Sequence, residues 1–192
     1  MTILDLNTIR LRLDEQFLPL EPALTGFRLL DSKLTPRDIA ACEQRLEVRF
    51  PQSFKKQLER FDFGDLTIGP TYFCGTGDYL DFLGSMNDED PYPRARWWDT
   101  ENRPVDRILV AMSDYFSILL GIESGVVFAL ANGEAWTTSE FMIADSFEDF
   151  LRGIGTAMLE RRPGEDNKAL ANAISSRIGA GQDNRFWLVI AA

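Results

Sequence analysis

Residues 35–65 read TPRDIAACEQRLEVRFPQSFKKQLERFDFGD, and this stretch decides the fold. Thr35 is a good helix N-cap residue, and Pro36 suits the first helical position, where its missing N–H costs nothing. Asp38 follows three residues after Thr35, which gives a short-armed variant of the capping box. The Phe50-Pro51 step ends this helix and starts another, because the residue before a proline is disfavoured in the α conformation. We therefore predict two helices joined by a sharp corner.

Both predicted helices have one apolar face at helical spacing. The residues of these faces are Ile39, Cys42 and Leu46 in the first helix and Phe54, Leu58 and Phe61 in the second. Gly64 is the predicted stop of the second helix. Glu43 lies between the apolar positions, and we expect it to fix the helical corner rather than to contact a partner.

The rest of the chain contains further helices and a set of short strands. An apolar stripe predicts an amphipathic helix over residues 4–17. Asp78 is expected to cap a helix over Tyr79–Met86. Ser146 is expected to cap a longer helix that begins directly after Ser146. Residues 170–178 form a last helical stripe. The predicted strands are 66–68, 71–74, 108–111, 117–122 and 125–130, with 135–138 as a further candidate. Phe186–Ile190 is predicted to be a C-terminal strand that adds to an edge of the sheet.

Runs of strands bracketed by helices favour an α+β fold over alternating βαβ units. We predict a single domain over residues 1–192, in which helices flank a mainly antiparallel, twisted sheet. The helix over 4–17 and a C-terminal helix plus strand over 166–190 extend this domain at its two ends. Residues 117–120 are almost continuously apolar, so we expect a central strand that is covered on both faces.

Composition excludes several classes of function. The chain of 192 residues has no histidine and two cysteines, which excludes a Ser-His-Asp triad, a histidine-assisted cysteine nucleophile and an ordinary zinc site. We expect Cys42 and Cys74 to be buried free thiols and predict no cofactor. No apolar run is long enough to cross a bilayer, and scattered charges near the N-terminus exclude a signal peptide. These features predict a cytoplasmic protein without a membrane partner.

The net charge of −10 argues against direct nucleic-acid binding, which needs a basic footprint. An acidic surface can steer a cationic partner, although acidity also simply keeps a protein in solution. Half of this net charge falls within residues 78–101, where seven carboxylates face two arginines. Aromatic residues are interleaved with these charges. The stretch is therefore either a solvated face, with Trp97 or Trp98 plugging the core from a loop, or an interface with aromatic anchors.

Enzymatic readings find little support. Asp78 and Asp81 could share a helix face like paired catalytic carboxylates, but local spacing alone proves little. Asp62 and Asp65 around Gly64 lack the further oxygen ligands of a calcium loop and are interpreted as turn residues. We predict that the protein is not an enzyme.

Several of these positions also resemble the SUKH superfamily. The resemblance rests on Thr35-Pro36, Ile39, Glu43, Leu46, Phe50-Pro51, Phe54, Leu58 and Phe61–Gly64, on strands at 108–112, 117–122 and 126–130, and on Ile143–Phe147 with Phe150-Leu151. It covers about residues 25–160. One departure is Ser113–Phe116, where that family has a small Gly-Asp turn.

The resemblance implies a protein-binding role. SUKH proteins include bacterial immunity proteins, which neutralise secreted toxins, and fungal cell-wall regulators. The first hypothesis is an immunity protein that occludes a cognate toxin, with a basic nuclease as the natural guess. The alternative is an intracellular regulatory or scaffold module without a toxin partner. From the charge pattern, and not from the family, we predict as partner-binding residues Asp78, Asp81, Asp88, Glu89, Asp90, Tyr92, Trp97 and Trp98, with Asp62 and Asp65 at the rim.

Overall fold

The computed structural model describes residues 2–75, 77–88, 96–162, 164, 166–179 and 183–192. The helices in these ranges are α1 (Leu6–Phe17), α2 (Pro36–Leu46), α3 (Gln52–Arg60), α4 (Tyr79–Asn87), α5 (Trp136–Ser139), α6 (Phe147–Glu160), α7 (Lys168–Ser175) and α8 (Arg185–Ile190). The strands are β1 (Thr67–Ile68), β2 (Thr71–Tyr72), β3 (Arg107–Ser113), β4 (Phe116–Gly121), β5 (Val127–Ala131) and β6 (Phe141–Ala144). A short 3₁₀ turn, Leu18–Leu20, follows α1.

The six strands form one antiparallel sheet whose spatial order is the order along the chain. Leu119 of β4 pairs with Leu109 of β3 on one side and with Phe128 of β5 on the other. Of the residues of β3, only the last two pair with β2. The pairing of β3 with β4 shifts its register at Val110, which forms a bulge in the middle of β3. This arrangement confirms the predicted α+β fold.

The sheet is covered on both faces. Ile118 and Leu120 of β4 point into the main core, which lies between the sheet and helices that include α1, α3 and α6. Leu119 points to the opposite face, which we call the outer face, and packs in a second cluster with Trp97 and Trp98. All three β4 side chains are fully buried. The prediction of a central strand covered on both sides is therefore confirmed.

The helical corner forms as the sequence predicts. The Thr35 hydroxyl accepts a hydrogen bond from the Asp38 N–H, and the Asp38 carboxylate accepts one in return from the Thr35 N–H. Glu43 fixes the corner, since its Oε1 accepts from the Phe50 N–H at 2.6 Å and from Lys55 Nζ at 2.9 Å. The prediction that Gly64 stops the second helix is wrong, because the helix ends at Arg60 and the buried Phe61 is already extended.

Helix α6 lies between α1 and α8, and two glycines allow this close packing. A Cβ atom on Gly153 would lie 2.4 Å from the Trp187 ring of α8. A Cβ atom on Gly155 would lie 2.7 Å from the Ile9 side chain of α1. Both added atoms would be far inside van der Waals contact, so these positions need a residue without a side chain.

The predicted C-terminal strand over Phe186–Ile190 is wrong, because this segment is helix α8. Phe186, Trp187 and Ile190 are buried at helical spacing, and a short apolar run does not distinguish a buried strand from a buried helix. The helix still ties the tail to the edge strand β6, since Trp187 Nε1 donates to the Ile143 carbonyl at 3.1 Å.

Two further details differ from the prediction around residue 140. The candidate strand at 135–138 is the short helix α5, and the next strand is instead β6. Four-residue segments carry too little periodic signal to separate a helical turn from a strand.

Candidate protein-binding surface

Helix α4 is attached to the edge of β3 by side chains instead of by a neighbouring strand. The Tyr79 hydroxyl donates to the Val110 carbonyl at 2.7 Å, at the bulge. Burial raises the pKa of the Tyr79 hydroxyl, so this donor stays protonated. The contact holds the first turn of α4 against the part of the β3 edge that does not pair with β2.

Asn87 makes the second attachment, at the other end of α4. Its Nδ2 donates to the carbonyls of Leu83 and Leu109, both at 2.9 Å. Its Oδ1 accepts from the Leu109 N–H at 2.7 Å and from Trp97 Nε1 at 3.1 Å. A carboxamide offers two donors and two acceptor lone pairs, so this buried side chain is fully satisfied and replaces a strand at Leu109.

Asp78 caps α4 and places its charge at the start of the helix. Its carboxylate accepts from the N–H groups of Leu80 at 2.7 Å and Asp81 at 3.2 Å. A carboxylate at this position also suits the positive end of the helix dipole. Asp78 and Asp81 are both exposed, so the predicted cap and the predicted site residues coincide here.

The turn at residues 62–65 lies beside the start of α4. A Cβ atom on Gly64 would be 2.6 Å from the Gly77 carbonyl oxygen, and the Asp65 carboxylate accepts from the Gly77 N–H at 3.4 Å. The Asp62 carboxylate accepts from the Gly64 N–H at 2.9 Å. The structure thus brings together four predicted site residues, which we call the acidic surface: Asp62, Asp65, Asp78 and Asp81.

A groove of about 500 Å³ runs between α2 and the start of α4. Asp38, Asp78 and Asp81 line it, together with Lys33 and Arg45. The Cys42 thiol also lies on this groove, but burial raises its pKa to about 11, and this thiol is not an activated nucleophile. The groove can offer carboxylate oxygens to a partner, but not covalent chemistry.

Asp88 differs from the four carboxylates of the acidic surface because it is paired with a described residue. Its Oδ2 lies 3.3 Å from Arg45 Nη2, and both side chains are about half exposed. Arg45 crosses α4 at Gly84, where a Cβ atom would lie 2.2 Å from its guanidinium. The pair connects the end of α4 to α2 and removes much of the charge that Asp88 would show to a partner.

Trp97 and Trp98 are buried on the outer face, with 7% and 3% of their surface exposed. Their rings meet edge to face at 5.3 Å, and Trp97 also contacts Trp136 at 6.4 Å. This packing matches the alternative that these rings plug the core from a loop. Contact of either ring with a partner stays a prediction.

A comparison with known families identifies the family of the chain. The family model described as SMI1 / KNR4 family (SUKH-1) matches residues 33–153, which is more than half of the chain. The chain belongs to this family. The suspected SUKH membership is confirmed, and the match runs from just before the Thr35 cap to within α6. No curated protein matches the chain.

The remaining partner-binding residues predicted from the charge pattern, Glu89, Asp90 and Tyr92, lie outside the described residues. Among the residues that are described, no group of three or more Cys, Asp or Glu side chains is placed to hold a metal ion. In the same ranges, no helix combines the length and the apolar character needed to cross a membrane.

Sequence reasoning missed two residues that build this surface. The predicted helix over Tyr79–Met86 stops just before Asn87, although Asn87 is the last residue of α4 and anchors it through a partner 22 residues away in sequence. Asp38 was interpreted only as part of a cap, although it also lines the groove. No local pattern predicts either contact, because both depend on how α4 docks.

Proposed function

We propose that this SUKH-1 protein is an immunity protein, which binds a cognate bacterial toxin and blocks it by occlusion. Members of this family typically bind other proteins and are generally immunity or regulatory proteins rather than enzymes. Family membership supplies the class of function. The acidic surface supports the choice of the contact site and of a basic partner.

One observation carries the proposal. Asp62, Asp65, Asp78 and Asp81 lie around the start of α4, and none of them forms a salt bridge with a described residue. Elsewhere in the described ranges some carboxylates are neutralised locally, as in the contacts of Arg28 with Asp14 and Glu21. Unpaired charge on a rigid helix end is suited to attract a cationic partner.

The mechanism follows from this charge. Carboxylates at a helix end meet basic residues of the toxin, and the groove between α2 and α4 receives their side chains. A nuclease has a basic site because it binds phosphate, so an acidic inhibitor can occupy that site in place of the nucleic acid. We therefore propose a nuclease as the toxin, with binding inside the producing cell.

The test is a calorimetric titration against the C-terminal domain of the toxin-like protein encoded beside this gene. It is done at salt concentrations below and above about 0.1 M, where the Debye length is about 10 Å. We expect tight binding that weakens as salt rises. Tight binding whose affinity does not change with salt would support the immunity function but would show that the toxin contacts a surface other than the acidic surface.

Charge-neutral variants locate the contact. The triple variant Asp65→Asn, Asp78→Asn and Asp81→Asn keeps the helix cap, since Asn caps as well as Asp. We expect it to bind roughly tenfold more weakly. The control is Asp166→Asn, an exposed carboxylate just before α7, which should bind unchanged. Absence of binding by the unaltered protein would overturn this toxin as partner and favour the regulatory alternative.

A further inference from the structure

A second cleft, of about 460 Å³, opens on the outer face, where Met86 near the end of α4 borders it. Met112 and Leu130 of the sheet form its floor, and the Trp97-Trp98 pair forms one wall. Its size is in the range of sites that hold a small ligand or a few side chains. The cleft combines an apolar floor, an aromatic wall and a polar rim.

The rim of this cleft is acidic. Asp99 and Glu134 line it, both are exposed, and neither forms a salt bridge with a described residue. An apolar cleft with two unpaired carboxylates at its mouth is complementary to a cation that has an apolar stem.

The protein itself places a cation on the aromatic wall. The Arg96 guanidinium lies 5.1 Å from the centre of the Trp98 ring, within the usual range of a cation–π contact. Arg96 also donates to the carbonyls of Thr100 and Glu101, four and five residues ahead. An arginine from the same loop therefore occupies the position that an incoming cation would take.

Trp97, Trp98 and Trp136 pack together on the outer face, and we call them the indole cluster. This cluster has fewer hydrogen-bond acceptors than indole N–H donors. The buried indole N–H groups of Trp98 and Trp136 have no partner among the described residues, whereas Trp97 is satisfied by Asn87. A buried donor without an acceptor costs about 1–3 kcal/mol, so such groups call for an explanation. Since Trp98 lines the cleft, a peptide carbonyl brought in with the cation can supply an acceptor for its N–H.

We propose that this cleft binds an arginine-bearing loop of the protein partner, in competition with the protein's own Arg96. The incoming guanidinium stacks on Trp98 and pairs with Asp99 and Glu134, while the adjacent backbone carbonyl faces the indole cluster. The proposal rests on the proposed function only in that the occupant belongs to a protein partner. Arg96 then acts as an intramolecular occupant that lowers the affinity of the cleft.

The test uses N-acetyl-arginine N-methylamide as the probe and the full chain labelled with ¹⁵N. The indole N–H cross-peaks of the tryptophans are followed by NMR during the titration. We expect a saturable shift of the Trp98 peak and no shift of Trp187, which is buried at the other side of the protein against β6. N-acetyl-glutamine N-methylamide has the same two backbone carbonyls and an uncharged polar side chain, and it should shift Trp98 much less.

Variants separate competition from unspecific binding. Arg96→Ala should bind the arginine probe about two- to fivefold more tightly, because the competing cation–π contact is gone. Asp99→Asn combined with Glu134→Gln should bind it more weakly. The proposal is overturned if Trp98 does not respond, if the glutamine probe shifts it equally, or if Arg96→Ala weakens binding. None of these results affects the toxin titration, so the two proposals fail separately.

Discussion

At the scale of single residues, Asn87 holds two layers of the protein together. Its four hydrogen bonds join α4, the edge of β3 and the indole of Trp97 inside a region without water access. While all of its hydrogen bonds are made, such a buried group adds only modestly to the free energy of unfolding. Its removal is costly because it leaves several buried partners unpaired at once.

We therefore predict that Asn87→Ala lowers the free energy of unfolding by about 3 kcal/mol or more. The measurement is urea unfolding, read from the midpoint at an unchanged m-value. The control is Asn132→Ala, which removes an exposed carboxamide that bonds the carbonyls of Ser113 and Asp114. Equal losses in the two variants would contradict the special role of Asn87.

The capping box makes a prediction about pH. The Thr35 hydroxyl and N–H both donate to Asp38 and hold the pKa of that carboxyl below its usual 3.8. A lowered pKa stabilises the fold fully above pH 3.8, and this contribution is lost as pH falls through the pKa of the folded state. The carboxylate thus helps the fold at neutral pH and stops doing so in acid.

Thr35→Val should raise the pKa of Asp38 towards 3.8, because the largest cause of the shift is the hydroxyl. The measurement is an NMR titration of the carboxyl carbon. Asp5 is an internal control, since Thr8 lowers its pKa in an independent cap. A variant in which the pKa of Asp38 does not move would show that the backbone N–H alone sets it.

At the scale of elements, the corner between α2 and α3 depends on Glu43. Glu43→Ala should lower the free energy of unfolding by about 1–3 kcal/mol, because the Phe50 N–H loses its acceptor. Glu43→Gln keeps an acceptor for this N–H and loses only the ion pair with Lys55, so it should cost less. Chemical denaturation of both variants tests this order, and a larger loss for Gln would contradict it.

The same elements show what local sequence can predict. Helices α2 and α3 could be predicted because Thr35, Pro36 and Pro51 act on the backbone within one or two turns. Helix α8 could not be predicted in this way, because no local pattern in residues 186–190 indicates that Trp187 packs on Gly153 of α6. Its state is decided by packing against α6, which a short apolar run does not reveal.

At the scale of the whole molecule, the net charge of −10 opposes compaction through self-repulsion. Added salt screens this repulsion, and we predict that Tm rises by a few degrees between very low salt and about 0.2 M sodium chloride. The measurement is a thermal melt by circular dichroism at several salt concentrations. A fall in Tm would show that local pairs such as Arg28 with Asp14 and Glu21 outweigh the net repulsion.

The candidate site was predictable in composition but not in layout. Charge counting found the carboxylates of residues 62–81, and the structure gathers them around the start of α4. It did not foresee that Asp88 would be paired with Arg45. It also left open whether Trp97 and Trp98 plug the core or anchor a partner, and the structure buries both. Pairing and burial depend on contacts across 10 to 40 residues of chain, which a linear pattern does not contain.

The attachment of α4 by Tyr79 and Asn87 has a consequence for how such proteins can diversify. A strand in this place would fix its own backbone register along the sheet, whereas the side-chain hydrogen bonds of Tyr79 and Asn87 tie α4 to β3 at Val110 and Leu109. The exposed positions of α4 can therefore change with little effect on the strands beneath. A lineage that keeps those two anchors can exchange its exposed residues on α4 and acquire a new protein partner while inheriting the same scaffold.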